Sequence, residues 1–167
     1  MDNSQAQRAV HKTTFQKMPP HIREQVLHTD TTARGKGLTG KGAEPFGEVI
    51  QEEVDVLETA DGTTSYTLGM EKMADGPYMD NRVVTEDVGG LLESHILRYR
   101  PSDGWLAGRA SGRMGWEAFS GEIFIFDGEG NPKAAGKFDD GNVTGQATGT
   151  GMAGKSDEMD CTLTNVT

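Results

Sequence analysis

The chain is poor in cysteine: Cys161 is the only one among 167 residues. An intrachain disulfide is excluded, and no cysteine cluster can hold a metal. Long hydrophobic runs are also missing. Apolar residues make up 34% of the chain and the mean hydropathy is -0.57. No stretch approaches the roughly 20 apolar residues of a membrane-spanning helix, so no membrane partner is expected. Positive charge is sparse and scattered, with 16 Lys and Arg against 26 Asp and Glu and a formal net charge of -10. Phosphate contact needs clustered basic side chains, so a nucleic-acid partner is excluded and anionic lipid is disfavoured. The start Met1-Asp2-Asn3-Ser4-Gln5 lacks the basic residues and apolar run of a secretory signal, and a cytoplasmic location is expected. On that reading the acceptor patterns Asn142-Val143-Thr144 and Asn165-Val166-Thr167 are ordinary turn and tail residues. His11, His21, His28 and His95 have no metal-ligand spacing, and neither a metal nor another cofactor is implied.

What the chain does have is a succession of short alternating segments closed by Gly-containing turns, from Pro45 onward. Segments at Glu48–Thr59, Thr63–Met73, Arg82–Val88, Leu91–Arg100, Trp105–Met114, Trp116–Asp127, Lys133–Phe138, Asn142–Thr150 and Glu158–Val166 read as strands. Asp61-Gly62, Asp75-Gly76-Pro77, Gly89-Gly90 and Asp127-Gly128-Glu129-Gly130 separate them. Most of the 23 glycines fall after residue 88, which suits coiled strands and tight turns. The expected fold is all-β: an antiparallel β-barrel of about eight strands spanning residues 45–167. Residues 1–30 read as a helical lid, with Phe15, Met18, Ile22 and Val26 on its apolar side and Pro20 opening the second helix. A short helix with one apolar stripe must dock on something. Residues 31–44, with Gly35, Gly37, Gly40 and Gly42, read as a flexible linker that would let the lid move.

Two motifs are decoys. Gly149-Thr150-Gly151-Met152-Ala153-Gly154-Lys155-Ser156 fits the phosphate-loop pattern, but too little chain follows it for a βαβ unit. Asp127-Gly128-Glu129-Gly130-Asn131 resembles half a calcium loop, but Phe138 stands where a bidentate acid is required, so a hairpin turn is expected.

Strand parity gives the candidate site, because alternate side chains face opposite sides. In Leu91–Arg100, Arg98 and Arg100 are more comfortable in solvent. Leu91, Glu93, His95, Leu97 and Tyr99 then face inward. Tyr66 and Met70 share a face, and Trp116, Phe124 and Phe126 extend the wall. Tyr66, Glu93 and His95 are the candidate catalytic residues; Met70, Leu91, Leu97, Tyr99, Trp116 and Phe124 are the candidate substrate-binding residues. An apolar pocket with a few polar groups suits a hydrophobic small molecule. Exposed barrel sides often pair, but nothing here specifies a homodimer.

The segments Val56-Leu57-Glu58-Thr59-Ala60-Asp61-Gly62-Thr63, Gly90-Leu91-Leu92 through Tyr99, and Ser102-Asp103-Gly104-Trp105-Leu106-Ala107-Gly108-Arg109-Ala110-Ser111-Gly112 resemble the allene oxide cyclase-like barrels. Within them the chain is most similar to bacterial cyclases that form spirotetronate and spirotetramate rings. That resemblance implies a cofactor-independent Diels–Alderase in natural-product biosynthesis, which folds a linear polyketide-derived polyene inside the barrel for an intramolecular 4+2 cycloaddition. Orientation would supply most of the effect. A hydrogen bond from Tyr66, His95 or Glu93 would polarise a conjugated carbonyl. A lipocalin-like carrier without catalysis, and an assembly protein with a filled interior, are the competing readings.

Overall fold

The computed structural model describes residues 9–35, 43–112 and 115–148. The strands are β1 (Ala9–Thr13), β2 (Phe46–Glu58), β3 (Thr64–Lys72), β4 (Met79–Glu86), β5 (Leu92–Pro101), β6 (Gly121–Asp127), β7 (Pro132–Asp139) and β8 (Asn142–Thr148). Helix α1 spans Pro20–Arg34 and α2 spans Asp103–Ala110. Single turns of 3-10 helix lie at Phe15–Lys17 and Trp116–Ala118. The strands form one eight-stranded antiparallel sheet in chain order. No helix among the described residues is long and apolar enough to cross a membrane.

Local chemistry fixes the hairpins. Gly62 has φ +91° in the β2–β3 turn, where the Asp61 carboxylate accepts from the Thr63 amide at 3.0 Å. The Asp127 carboxylate accepts from the amides of Glu129 (3.0 Å) and Asn131 (2.9 Å), so it organises a hairpin turn, as expected.

The sheet is strongly curled. A bulge interrupts the pairing between Phe46 and Val54 of β2. Beyond it, the Phe46 ring meets Phe126 of β6 edge-on, with centroids 5.0 Å apart, and lies 4.8 Å from the Arg98 guanidinium of β5. Strands four places apart in sheet order therefore touch across the concave face. Among the described residues β1 and β8 do not pair, and the sheet is not closed into a barrel.

Three segments differ from expectation. Ala9–Thr13, expected to be helical, pairs with β2 from Glu58 to Val54. Its exposed residues Val10, His11 and Lys12 suit an edge strand, with Lys12 paired to Asp55 of β2 at 2.7 Å. Helix α1 continues through residues 31–34, which were assigned to the linker. The Thr31 and Thr32 hydroxyls donate back to the carbonyls of Leu27 and His28, and Ala33 is buried. The strand expected over Trp105–Met114 is instead α2, because Ser102 caps the helix by accepting from the Trp105 amide at 3.2 Å. The strand expected over 158–166, the phosphate-loop match, residues 1–8 of the lid and residues 36–42 of the linker lie outside the described residues.

The apolar side expected of the lid segment docks on the sheet. Phe15, Met18, Ile22 and Val26 are buried in one cluster with Val54, Leu68, Ile96 and Phe124 of the sheet. Their spacing, with Thr29 and Ala33, puts a stripe of α1 onto the concave face. A segment filling the core in this way is a plug, and its burial supplies much of the apolar area that the curled sheet needs.

Candidate functional site

The pairing register sets which β5 side chains face the core. Arg82 of β4 lies opposite Ile96, Asp80 opposite Arg98, and Arg98 opposite Phe124 of β6. Asp80, Arg82, Ile96, Arg98 and Phe124 are all buried. The inward set on β5 is therefore Leu92, Ser94, Ile96, Arg98 and Arg100, the reverse of the expected parity. Leu91 is exposed, Glu93 is exposed, and His95, Leu97 and Tyr99 point to the convex side.

The physical reason is pairing. A buried guanidinium is tolerated when it is hydrogen-bonded and partnered. Arg98 forms a two-pronged bridge to Asp80, with Nε to Oδ1 and Nη2 to Oδ2 both at 2.7 Å. It also donates to the Glu44 carbonyl at 2.8 Å and sits 4.9 Å from the Tyr78 ring. Burial is the largest influence on the Glu44 carboxyl and pushes it up, but its own backbone amide, then the Arg100 hydrogen bond and the charges of Arg100 and Arg98, outweigh burial and hold it below the usual range.

Arg82 ties α1 to the sheet. Its Nη1 donates to Thr29 Oγ1 at 2.8 Å, Ser94 Oγ at 3.0 Å and the Gly128 carbonyl at 2.9 Å. Its Nη2 lies 3.9 Å from Asp30 Oδ1, while Asp30 Oδ2 accepts from Arg34 Nε at 3.2 Å. Burial lowers Arg82 to about 10, partly offset by Asp30, so it remains charged at neutral pH. Burial raises Asp30, outweighing the pull of Arg82 and Arg34.

Tyr66, Met70 and Phe124 do face the concave side, all buried in the core. Tyr66 lies between Val56 and Val84, and its hydroxyl is pushed up by burial first and then by Glu86 and Glu58. The concave side carries the buried core cluster, and Tyr66 is on the opposite face of the sheet from Glu93 and His95. The three candidate catalytic residues are not assembled.

The convex side is where apolar surface is left open. A hollow of about 250 Å³ is lined by Ile123, Ile125, Ala134, Gly136, Val143 and Gln146 among others. A second, of about 230 Å³, is lined by Tyr99, Trp116, Glu117, Phe119 and Gly141. Ile123 and Phe138 line both. Register explains the first hollow. Leu97 pairs with Ile125 and Tyr99 with Ile123, while Ile125 pairs with Ala134 and Ile123 with Gly136. Large side chains on β5 and β6 thus face small ones on β7.

The 3-10 turn after α2 builds the second hollow together with β5, β6 and the end of β7. Trp105 is buried and donates from its indole N–H to the Gly115 carbonyl at 3.2 Å. Phe119 is buried beneath Tyr99, Trp105 and Trp116, at centroid distances of 6.0, 5.2 and 5.7 Å. Trp116 is 43% exposed, so one of these rings is open to a ligand. The Gly141 amide donates to the Phe119 carbonyl at 2.8 Å and pins the β7–β8 turn against this edge. Burial pushes the Tyr99 hydroxyl up, keeping it a protonated donor at neutral pH.

Of the expected substrate-binding residues, the structure brings Tyr99 and Trp116 together here, with Leu97 one register step away; Leu91 lies at the β4–β5 turn. Sequence reasoning missed Ile123, Ile125, Phe119, Phe138 and Glu117. The unbroken run Ile123-Phe124-Ile125-Phe126 carried the signal, since a strand apolar at both parities is covered on both faces. Comparison with known protein families, with curated proteins and with solved structures finds no match to this chain.

Proposed function

We propose that this protein binds a hydrophobic small molecule on the convex side of its sheet, in the paired hollows that share Ile123 and Phe138. The observation that carries this reading is the open apolar volume on the convex face. There α1 and the inward side chains lie behind the sheet in the core cluster, and aromatic and aliphatic walls surround two hollows. This is the carrier reading, moved from the inside of the sheet to its outside. Closure of the curled sheet into a barrel belongs to the same proposal, and the contact of Phe46 with Phe126 supports it.

The test is titration with Nile red, a neutral apolar dye, together with Ala134→Trp, which fills the first hollow from β7. Saturable binding by the parent, lost in a folded Ala134→Trp variant, supports the reading. Absence of binding by a monomeric parent refutes it, and a dimer that dissociates in Ala134→Trp would show that a second copy uses this face instead.

A cyclase is the second reading, and the allene oxide cyclase-like resemblance belongs with it. The placement of Tyr99 favours it: a protonated phenol lining the aromatic hollow can donate to a carbonyl conjugated with a dienophile. A linear polyene of the polyketide type is the substrate to offer, and Tyr99→Phe should slow its cyclisation more than it weakens its binding. An unchanged rate with the parent protein removes this reading.

A further inference from the structure

We propose that the ligand of the convex hollows carries a cationic head, an alkylammonium group, received by the aromatic end beside Glu117. This inference rests on the binding proposed above and narrows the ligand class. An organic cation is attracted to the electron-rich faces of Trp, Tyr and Phe, and rings set at steep angles surround it better than a flat stack does. Tyr99 stands at 69° to Trp116 and 88° to Phe119, and Phe119 at 64° to Phe138, so that Tyr99 and Phe138 turn their rings steeply against the stacked pair Trp116–Phe119, which lies at 20°. All four rings line one hollow of about 230 Å³.

Charge points the same way. Glu117 lines that hollow and is exposed, and Gly141 brings the Asp139-Asp140 turn to its edge. The Asp140 amide is fixed there by the Ser120 hydroxyl at 2.9 Å. The chain as a whole carries -10. These rings already attract a cation from within the molecule: the Arg109 guanidinium of α2 lies 5.4 Å from the Trp116 ring centroid and 5.7 Å from that of Trp105. Arg109 is therefore a competitor as well as a precedent. Its charge opposes a second cation at Trp116, and removing it should tighten cation binding. The aliphatic hollow continues from Ile123 and Phe138 to Ile125 and Ala134, and gives an apolar tail a place to lie.

Three probes of equal tail length separate the possibilities: octyltrimethylammonium, octanol and octanoate, each below its micellar concentration, titrated calorimetrically into the full chain at low salt. A desolvated cation–π contact of roughly 1–2 kcal/mol corresponds to about a tenfold preference for octyltrimethylammonium over octanol. Octanoate should bind weakest. Glu117→Gln should reduce the preference severalfold, and Arg109→Gln should increase it. Equal binding of all three probes, or preference for octanoate, overturns the cationic head while leaving hydrophobic binding standing. No binding of any probe overturns both. A preference for octyltrimethylammonium that ignores both substitutions places the cation elsewhere and also overturns the assignment.

Discussion

Replacing Arg82 by methionine tests whether a single buried guanidinium holds α1 in the sheet. Arg82 is fully buried and joins three elements at once: Thr29 of α1, Ser94 of β5, and the Gly128 carbonyl in the β6–β7 turn. Methionine keeps most of the aliphatic stem, so the loss is in charge and hydrogen bonds more than in volume. Breaking a buried ion pair by removing one partner costs about 3–5 kcal/mol, because the other charge is left behind. Two features place Arg82 at the low end. Among the described residues its Nε and Nη2 have no hydrogen-bond partner, and Asp30 retains Arg34. The expected loss is therefore about 3 kcal/mol, which lowers Tm by roughly 6–12 °C for a domain of this size. Urea unfolding followed by circular dichroism at pH 7 reads the stability, and amide exchange in α1 reads the local effect. Adding Asp30→Asn to Arg82→Met should recover part of the loss, since the stranded carboxylate is then gone. If Arg82→Met is as stable as the parent and α1 is no less protected, the guanidinium is not the tie described here.

Asp30 also gives a pH signature. Its carboxyl is raised above 3.8, so between that value and its folded value the native chain holds a proton that the unfolded chain has released. The contribution of Asp30 to stability must fall as pH rises through that window and stay low above it. Urea midpoints of the parent and of Asp30→Asn, compared from pH 4 to 7, should show the parent losing ground as pH rises; a flat or opposite difference would contradict the burial argument. Deleting residues 1–35 should abolish cooperative unfolding and the near-ultraviolet signal, because Phe15, Met18, Ile22 and Val26 leave the core with it. A truncated chain that still unfolds cooperatively would restore the view of this segment as a dispensable lid.

The antiparallel sheet was legible because its signals are local. Asp61-Gly62 and Asp127-Gly128-Glu129-Gly130 make turns through contacts with their own neighbours, and the amphipathic stripe of α1 depends only on spacing. The face on which each strand packs was not legible, because it depends on partners distant in sequence. Arg98 faces inward through Asp80, 18 residues away, and Glu44, 54 residues away. A rule that sends arginine to solvent holds for an unpartnered side chain and reverses for a paired one. The same error moved Glu93, His95 and Tyr99 to the wrong side. The pattern over Trp105–Met114 suits a strand by its own residues, and the cap that makes it a helix lies ahead of it at Ser102. Ser102 directly follows the last residue of β5, and its hydroxyl opens α2.

The inverted parity bears on function as well as fold. Once Arg82 and Arg98 occupy the concave side, β5 must turn Leu97 and Tyr99 outward, and β6, apolar at both parities, must present Ile123 and Ile125 beside them. An apolar convex patch is thus the direct consequence of burying two arginines. On most of the sheet that convex face carries polar residues in the same cross-strand row, such as Lys12, Asp55 and Thr67. Toward β6–β8 apolar side chains surround open volume, and there the Trp116 turn folds over the edge of the sheet and leaves Trp116 exposed. A chain selected only to be a stable sheet would gain from polar residues at Ile125 and Trp116, which face outward in a molecule otherwise rich in surface charge. On the binding proposed above, the large apolar side chains there, around open volume and next to acids, are the part of the surface that the ligand covers.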